Sequence, residues 1–242
     1  MMTIDVKSLT VQKKNGKKLL ENVNLEISDG ETVILCGEPG SGKTLLSKAI
    51  KNILPKNLEK KGEIKVSNNP GYLFQTPRKQ ILRRKVIDDL AFELENRKMK
   101  PEEIGEKIEK YTEGYGIRNL LQRETEELSS GEAAMVALTQ VLISDPDTII
   151  LDEPLTQLDY QNQKVMVRQL KKLQEKGKTL IITEHNMEDL FPIADQIVLL
   201  KNGKVKSKGK PDSLIQELYS EGVRLPIKRE MEVEGVTFEN PN

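Results

Sequence analysis

The sequence predicts an α/β fold with a mainly parallel sheet. Three continuous apolar runs, Val33-Ile34-Leu35-Cys36, Ile149-Ile150-Leu151 and Leu180-Ile181-Ile182, read as strands covered on both faces. Helical patterns lie between them, including Thr44–Ile53 and Gln161–Glu175. Buried strands separated by helices imply a parallel sheet.

The elements follow in chain order. Ile4, Val6 and Leu9 sit in a β-prone opening segment, and Gly16 marks a turn. Val23-Asn24-Leu25-Glu26-Ile27 alternates apolar and polar, the period of a half-buried strand. After the first buried run and its helix, residues from about 85 to 128 are rich in Glu, Lys and Arg with helical periodicity. This block reads as a helical insertion, and its Pro101–Lys110 charge run as a solvated helix face. Ile197-Val198-Leu199-Leu200 is a further strand before the Asn202-Gly203 turn, and Lys201–Lys210 reads as a basic surface turn.

Composition narrows the function classes. The chain has 242 residues, with Lys+Arg and Asp+Glu both at 38 and a formal net charge of zero. A general nucleic-acid or membrane-surface binder would carry a basic excess, so no nucleic-acid partner is expected. No stretch approaches the ~20 apolar residues of a membrane span. Met1–Asp5 lacks the apolar core of a signal peptide. The single cysteine, Cys36, suits a reducing compartment and reads as a small core residue.

The residues that carry chemistry begin at Gly37-Glu38-Pro39-Gly40-Ser41-Gly42-Lys43-Thr44. The segment matches G-x-x-x-x-G-K-[ST] and joins an apolar strand to a helix, the context that gives the motif meaning. Its glycines let backbone N–H groups turn toward phosphates, and the helix N-terminus adds a favourable dipole. Lys43 then reaches the β- and γ-phosphates while the Thr44 hydroxyl ligates Mg²⁺. Thr148–Leu151 leads into Asp152-Glu153-Pro154, a buried strand ending in two carboxylates. Such carboxylates are costly without a cation or partner. Asp152 is placed to hold Mg²⁺ through water and Glu153 to act as general base. The only histidine, His185, stands just past the strand 179–183, at the sheet edge where open parallel sheets bind ligands.

In these motifs the chain resembles the nucleotide-binding subunit of ATP-binding cassette (ABC) transporters. Gln75, in Gly71-Tyr72-Leu73-Phe74-Gln75, is similar to the Q-loop glutamine, a further catalytic and metal-contacting position. Leu128-Ser129-Ser130-Gly131-Glu132 resembles the family signature, Ile149–Glu153 the Walker B strand, and Thr156-Gln157-Leu158-Asp159 the D-loop. His185 matches the switch histidine, which orients the attacking water and contacts the γ-phosphate. The resemblance covers roughly residues 3–210. It implies a P-loop NTPase (RecA-like) core with an N-terminal antiparallel β subdomain and an inserted α-helical signature subdomain at about 85–140. It also implies ATP and Mg²⁺ as ligands. Two cassettes would sandwich two ATP molecules, with Ser129, Ser130, Gly131 and Glu132 capping the partner's nucleotide. Integral membrane subunits would complete the machine, with this chain peripheral on the cytoplasmic face.

Residues 74–80 and 86–92 are most similar to energy-coupling-factor and cobalt-type importers, which take up vitamins or transition-metal ions. A soluble, non-transporting ABC ATPase of translation or repair type is the alternative reading.

Four positions depart from the family. Lys13 stands where an aromatic usually stacks on adenine. Ser130 replaces the middle signature glycine, and its Cβ limits backbone approach to phosphate. Glu132 replaces the usual glutamine and adds negative charge near the partner's ATP, and Met135 stands where an arginine often follows. Three of these weaken the signature side. The expectation is an asymmetric pair, in which this chain's own site hydrolyses well and the site it caps is poorer.

The cassette is expected to span residues 1–220, with 221–242 as an extension. Met231–Asn242 parallels the opening strand Ile4–Asn15 in its apolar alternation. It is either a short accessory strand or the start of a second cassette.

Overall fold

The computed structural model describes residues 2–235. It contains two sheets. Strands β1 (Met2–Lys13), β2 (Lys18–Ser28) and β4 (Leu58–Val66) form an antiparallel sheet in the order β2-β1-β4. Strands β3 (Thr32–Cys36), β5 (Gly71–Leu73), β6 (Thr148–Asp152), β7 (Thr179–Thr183), β8 (Gln196–Lys201) and β9 (Lys204–Gly209) form the second, in the order β5-β6-β7-β3-β8-β9. All its pairings are parallel except the β8–β9 hairpin.

Two-sided burial explains the continuous apolar runs. Along β3, Ile34 and Cys36 face one core while Val33 and Leu35 face another, because successive side chains point to opposite faces. Ile149 and Leu151 likewise oppose Ile150, and Leu180 and Ile182 oppose Ile181. The larger core lies under the helices α2 (Val86–Asn96), α3 (Pro101–Gly114), α4 (Ser130–Leu142) and α5 (Tyr160–Glu175). The smaller core is closed by α1 (Lys43–Lys51) and the antiparallel sheet. Each fully buried Leu or Ile contributes roughly 1.5–3 kcal/mol.

The structure corrects the expected basic turn at Lys201–Lys210, which is most of the β8–β9 hairpin turning at Asn202 and Gly203. Ion pairs neutralise several of its lysines: Lys204 meets Glu21 at 3.1 Å and Lys201 meets Glu221 at 2.6 Å. The antiparallel sheet also takes its third strand from beyond α1, not from the N-terminus alone.

Past the expected boundary at residue 220, the described fold continues. Val223 and Leu225 are buried in the larger core, between α6 (Ile215–Ser220) and α7 (Ile227–Val233). Residues 231–233 therefore close a helix where the parallel with the opening strand predicts a strand; residues 236–242 lie outside the described residues. Among the described residues, no helix is long and apolar enough to cross a membrane.

Candidate active site

Strands β3, β6 and β7 end together at the C-terminal edge of the parallel sheet, and their ends build the site. From β3 the chain turns through Gly37–Gly42 into α1. Gly37, Gly40 and Gly42 take φ of 133°, 83° and 109°, which side chains rarely tolerate. Space is also closed at two of them. A Cβ on Gly42 would come within 2.6 Å of Leu20 Cδ2, and one on Gly37 would overlap the Leu200 carbonyl. The β8–β9 hairpin braces the loop from outside, Gly203 N–H donating to Ser41 O at 3.0 Å.

The loop presents unused donors. Among the described residues, the N–H groups of Gly40, Gly42, Lys43 and Thr44 have no backbone partner, and α1 has no side-chain cap. Ser41 Oγ is buried without a hydrogen bond. Lys43 is 4% exposed and curls into the loop, its Nζ donating to Gly37 O at 2.7 Å and Glu38 O at 3.1 Å. Burial pulls its ammonium below the usual lysine range, opposed most by the charge of Glu153.

Asp152 ends β6 and is 1% exposed. Three hydroxyls donate to its carboxylate: Thr44 at 2.7 Å and Thr183 at 2.8 Å to Oδ1, and Tyr72 at 3.1 Å to Oδ2. The next residue, Glu153, adopts φ 49°, a left-handed backbone unusual for a non-glycine residue. Its N–H is fixed by the Thr183 carbonyl at 3.1 Å and Thr183 Oγ1 at 3.0 Å. The Glu153 carboxylate accepts the Gln75 amide at 2.7 Å and the Thr156 hydroxyl at 3.3 Å. Gln75 uses its Nε2 on Glu153, which leaves its carbonyl oxygen for another partner. The Thr44 hydroxyl, the Asp152 carboxylate and that carbonyl are hard oxygen donors and suit Mg²⁺.

His185 follows β7, with its side chain 51% exposed. The residue before it, Glu184, is 1% exposed and drew no functional reading from the sequence. Burial pushes its carboxyl up to about 7, although N–H groups of His185 and Leu155 bond it. An acidic residue between an apolar strand and a lone histidine was the available signal.

The signature makes its side-chain hydrogen bonds elsewhere. Ser129 is the N-cap of α4, its Oγ accepting the Glu132 N–H at 3.2 Å, while Glu132 Oε2 accepts the Ser129 N–H at 2.7 Å. Arg123 pairs with Glu132 at 2.6 Å. The Ser129 bond first and Arg123 after it hold the Glu132 carboxyl below its usual range. The extra charge expected at Glu132 is therefore compensated within the chain. Ser130 is exposed and borders a small cavity with Gln75, Arg78 and Glu153. A Cβ on Gly131 would overlap the Asn162 side chain, which in turn donates to Asp159, the N-cap of α5. Arg78 hydrogen-bonds the Leu128 carbonyl, linking the segment after Gln75 to the signature. Met135 is buried in the core, and Lys13 is exposed at the end of β1.

Comparison with known proteins adds to this geometry. The family model described as ABC transporter matches residues 20–156, more than half of the chain. A putative ABC transporter ATP-binding protein of Treponema denticola is 36% identical over 208 residues, covering 79% of this chain and 42% of that protein. The energy-coupling factor transporter ATP-binding protein EcfA of Methanosarcina acetivorans is 31% identical over 229 residues, covering 89% of this chain and 82% of that protein. Among solved structures, cbiO1 of Clostridium perfringens, part of the ABC transporter complex cbiONQ, superposes with a TM-score of 0.79. It is 26% identical and covers 97% of this chain and 99% of that one. The chain spans about two fifths of the length of the first curated relatives it matches.

Proposed function

The chain belongs to the ATP-binding family of ABC transporters, and from that premise we propose that it hydrolyses ATP to energise a membrane importer of vitamin or metal-ion type. The observation that carries this reading is the pair of linked contacts at the β6 end: Thr44 to Asp152, and Gln75 to Glu153. They join the phosphate loop to a magnesium-holding carboxylate and a general base to the glutamine beside it.

In the proposed reaction, the open N–H groups of the loop and Lys43 hold the ATP phosphates. Lys43 exchanges the Gly37 and Glu38 carbonyls for phosphate oxygens. Thr44, Asp152 and Gln75 would hold Mg²⁺, which supplies charge neutralisation on the phosphates. Glu153 takes a proton from the attacking water, and His185 orients that water against the γ-phosphate. Ser129 and the Gly131 backbone cap the nucleotide of a second cassette. That cassette is an identical copy, a different chain, or a tandem neighbour in a longer protein. ATP then joins two surfaces by its charge, and hydrolysis separates them. Membrane subunits follow this motion through Gln75 and the helical insertion, on the cytoplasmic face.

The test is recovery of the natural protein from cells. Co-purification with integral membrane proteins, together with phosphate release from ATP, is the expected result. Recovery with ribosomes overturns the transport reading. Mass spectrometry of the same material distinguishes a product near 27 kDa from a longer tandem chain.

A further inference from the structure

Glu184 has no part in the chemistry proposed above, yet it is held as firmly as the residues that do. Its N–H donates to Leu35 O at 3.0 Å, which anchors it to β3. Its Oε1 accepts the Leu155 N–H at 3.2 Å, and its Oε2 accepts the His185 N–H at 3.1 Å. Leu155 lies two residues after Glu153, on a turn closed by Thr156 N–H to Glu153 O at 3.3 Å and Leu158 N–H to Leu155 O at 3.1 Å. That turn runs directly into Asp159.

Burying a carboxylate is expensive, so its retention asks for a reason. Two backbone donors converge here, and each needs an acceptor. A carboxylate offers two acceptor oxygens; glutamine, of nearly the same shape, offers one acceptor and one donor group. The far side of the histidine loop is pinned as well, Met187 N–H donating to Arg224 O at 2.7 Å. The backbone at His185 is thus held on both sides; its ring Nδ1 lies 3.5 Å from Glu184 Oε2, and the residue borders a cavity of about 170 Å³ with Leu155, Thr156, Gln163 and Asn186.

We propose that Glu184 is a positioning residue for ATP hydrolysis: its two oxygens lock the His185 backbone to the turn behind Glu153, so that histidine and base keep one geometry. This rests on the reading of the chain as an ATPase.

The test uses the full-length protein as it assembles in cells, with phosphate release and equilibrium binding of a fluorescent ATP analogue as readouts. Glu184→Gln is expected to lower kcat about 10- to 100-fold, as loss of catalytic geometry does. Analogue Kd is expected to stay within about twofold, because binding contacts are untouched. Since Glu184 acts partly through His185, the double variant Glu184→Gln, His185→Ala should be slower than His185→Ala by much less than Glu184→Gln alone slows the wild type. An unchanged kcat overturns the proposal. So does a Kd that weakens in step with the rate, or a double variant slowed by the product of the single effects. A wild-type protein that binds ATP without releasing phosphate overturns the functional reading itself, and this proposal with it. Amide hydrogen exchange on the wild-type protein needs no variant to fold: the Leu155 and His185 amides should be protected alike, and fast exchange at either overturns the link.

Discussion

Two helix N-termini are offered to phosphate in the proposed function, and they are finished differently. At α1 the N-cap is Gly42, no side chain caps the helix, and the first donors stand open. At α4, Ser129 and Glu132 close on each other in a capping box, with Arg123 balancing the acid. The first end can receive an anion without breaking a side-chain cap. The second also offers free donors, since the Ser130 and Gly131 N–H groups have no hydrogen-bond partner among the described residues, but its Ser129 hydroxyl and Glu132 N–H already bond each other. The difference teaches that departures in a signature need not weaken it by adding charge. Here Glu132 is compensated within the chain, by the Ser129 N–H and by Arg123.

The largest expected effect tests the phosphate side. Glu153→Gln should lower turnover by about two to three orders of magnitude with ATP still bound, as expected for loss of a general base. Single-turnover phosphate release measures it. Equal loss from the same change in the partner cassette would break the expected asymmetry between this chain's own site and the site it caps.

A pH effect comes next. The Glu184 carboxyl is raised from 4.5 to about 7. The folded chain therefore keeps a proton there that the unfolded chain has lost. Its contribution to stability is complete below about pH 4.5 and disappears as pH rises through about 7. Glu153, Lys43 and His185 face this group, Glu153 pushing its carboxyl up, the Lys43 ammonium attracting its charged form, and His185 Nδ1 lying 3.5 Å from its Oε2. The unfolding free energy of wild type relative to Glu184→Gln should thus fall with pH, by on the order of 3 kcal/mol across the window. Chemical denaturation at several pH values checks it, and a flat difference contradicts the assignment.

Asp152→Asn replaces an acceptor facing three hydroxyls with a partial donor. We expect stability to fall by about 1–3 kcal/mol and magnesium-dependent ATP binding to weaken about tenfold or more, as loss of a charged metal ligand implies. Calorimetry with and without Mg²⁺ separates the two.

The signature side should respond least. Ser129→Ala should remove about 1 kcal/mol of stability through the lost cap, read as a lower Tm. Glu132→Gln keeps the cap and loses only a partly exposed ion pair, so its effect should stay under about 1 kcal/mol. If Glu132→Gln instead raises turnover severalfold, the charge of Glu132 is not compensated at this end.

Legibility from sequence followed burial. The strands ending at Cys36, Asp152 and Thr183 were readable because both faces are covered, so each holds an unbroken apolar run. Strands β4 and β9 were not, because Leu58–Val66 and Lys204–Gly209 are edge strands whose exposed faces carry lysine and, in β4, glutamate. The three-residue β5 is too short to show any period. In the site, Gly37–Thr44, Asp152, Glu153 and His185 were legible as motifs. Glu184 was not, since nothing local reveals that a carboxylate will meet the N–H of Leu155 twenty-nine residues earlier.

By itself the sequence determined the fold class, the phosphate loop, the pair of carboxylates and the family. The first three are written in spacing along the chain, by glycines that permit a turn or by side chains that alternate with strand geometry, and the family follows from the resemblance of its motifs. Only the tertiary structure decided that Thr44 meets Asp152, that Gln75 meets Glu153, that Arg123 balances Glu132 and that Glu184 bridges two loops. Except for Arg123 and Glu132, these partners are tens of residues apart in the chain. They meet because parallel strands order the sheet by hydrophobic packing and not by position in the sequence.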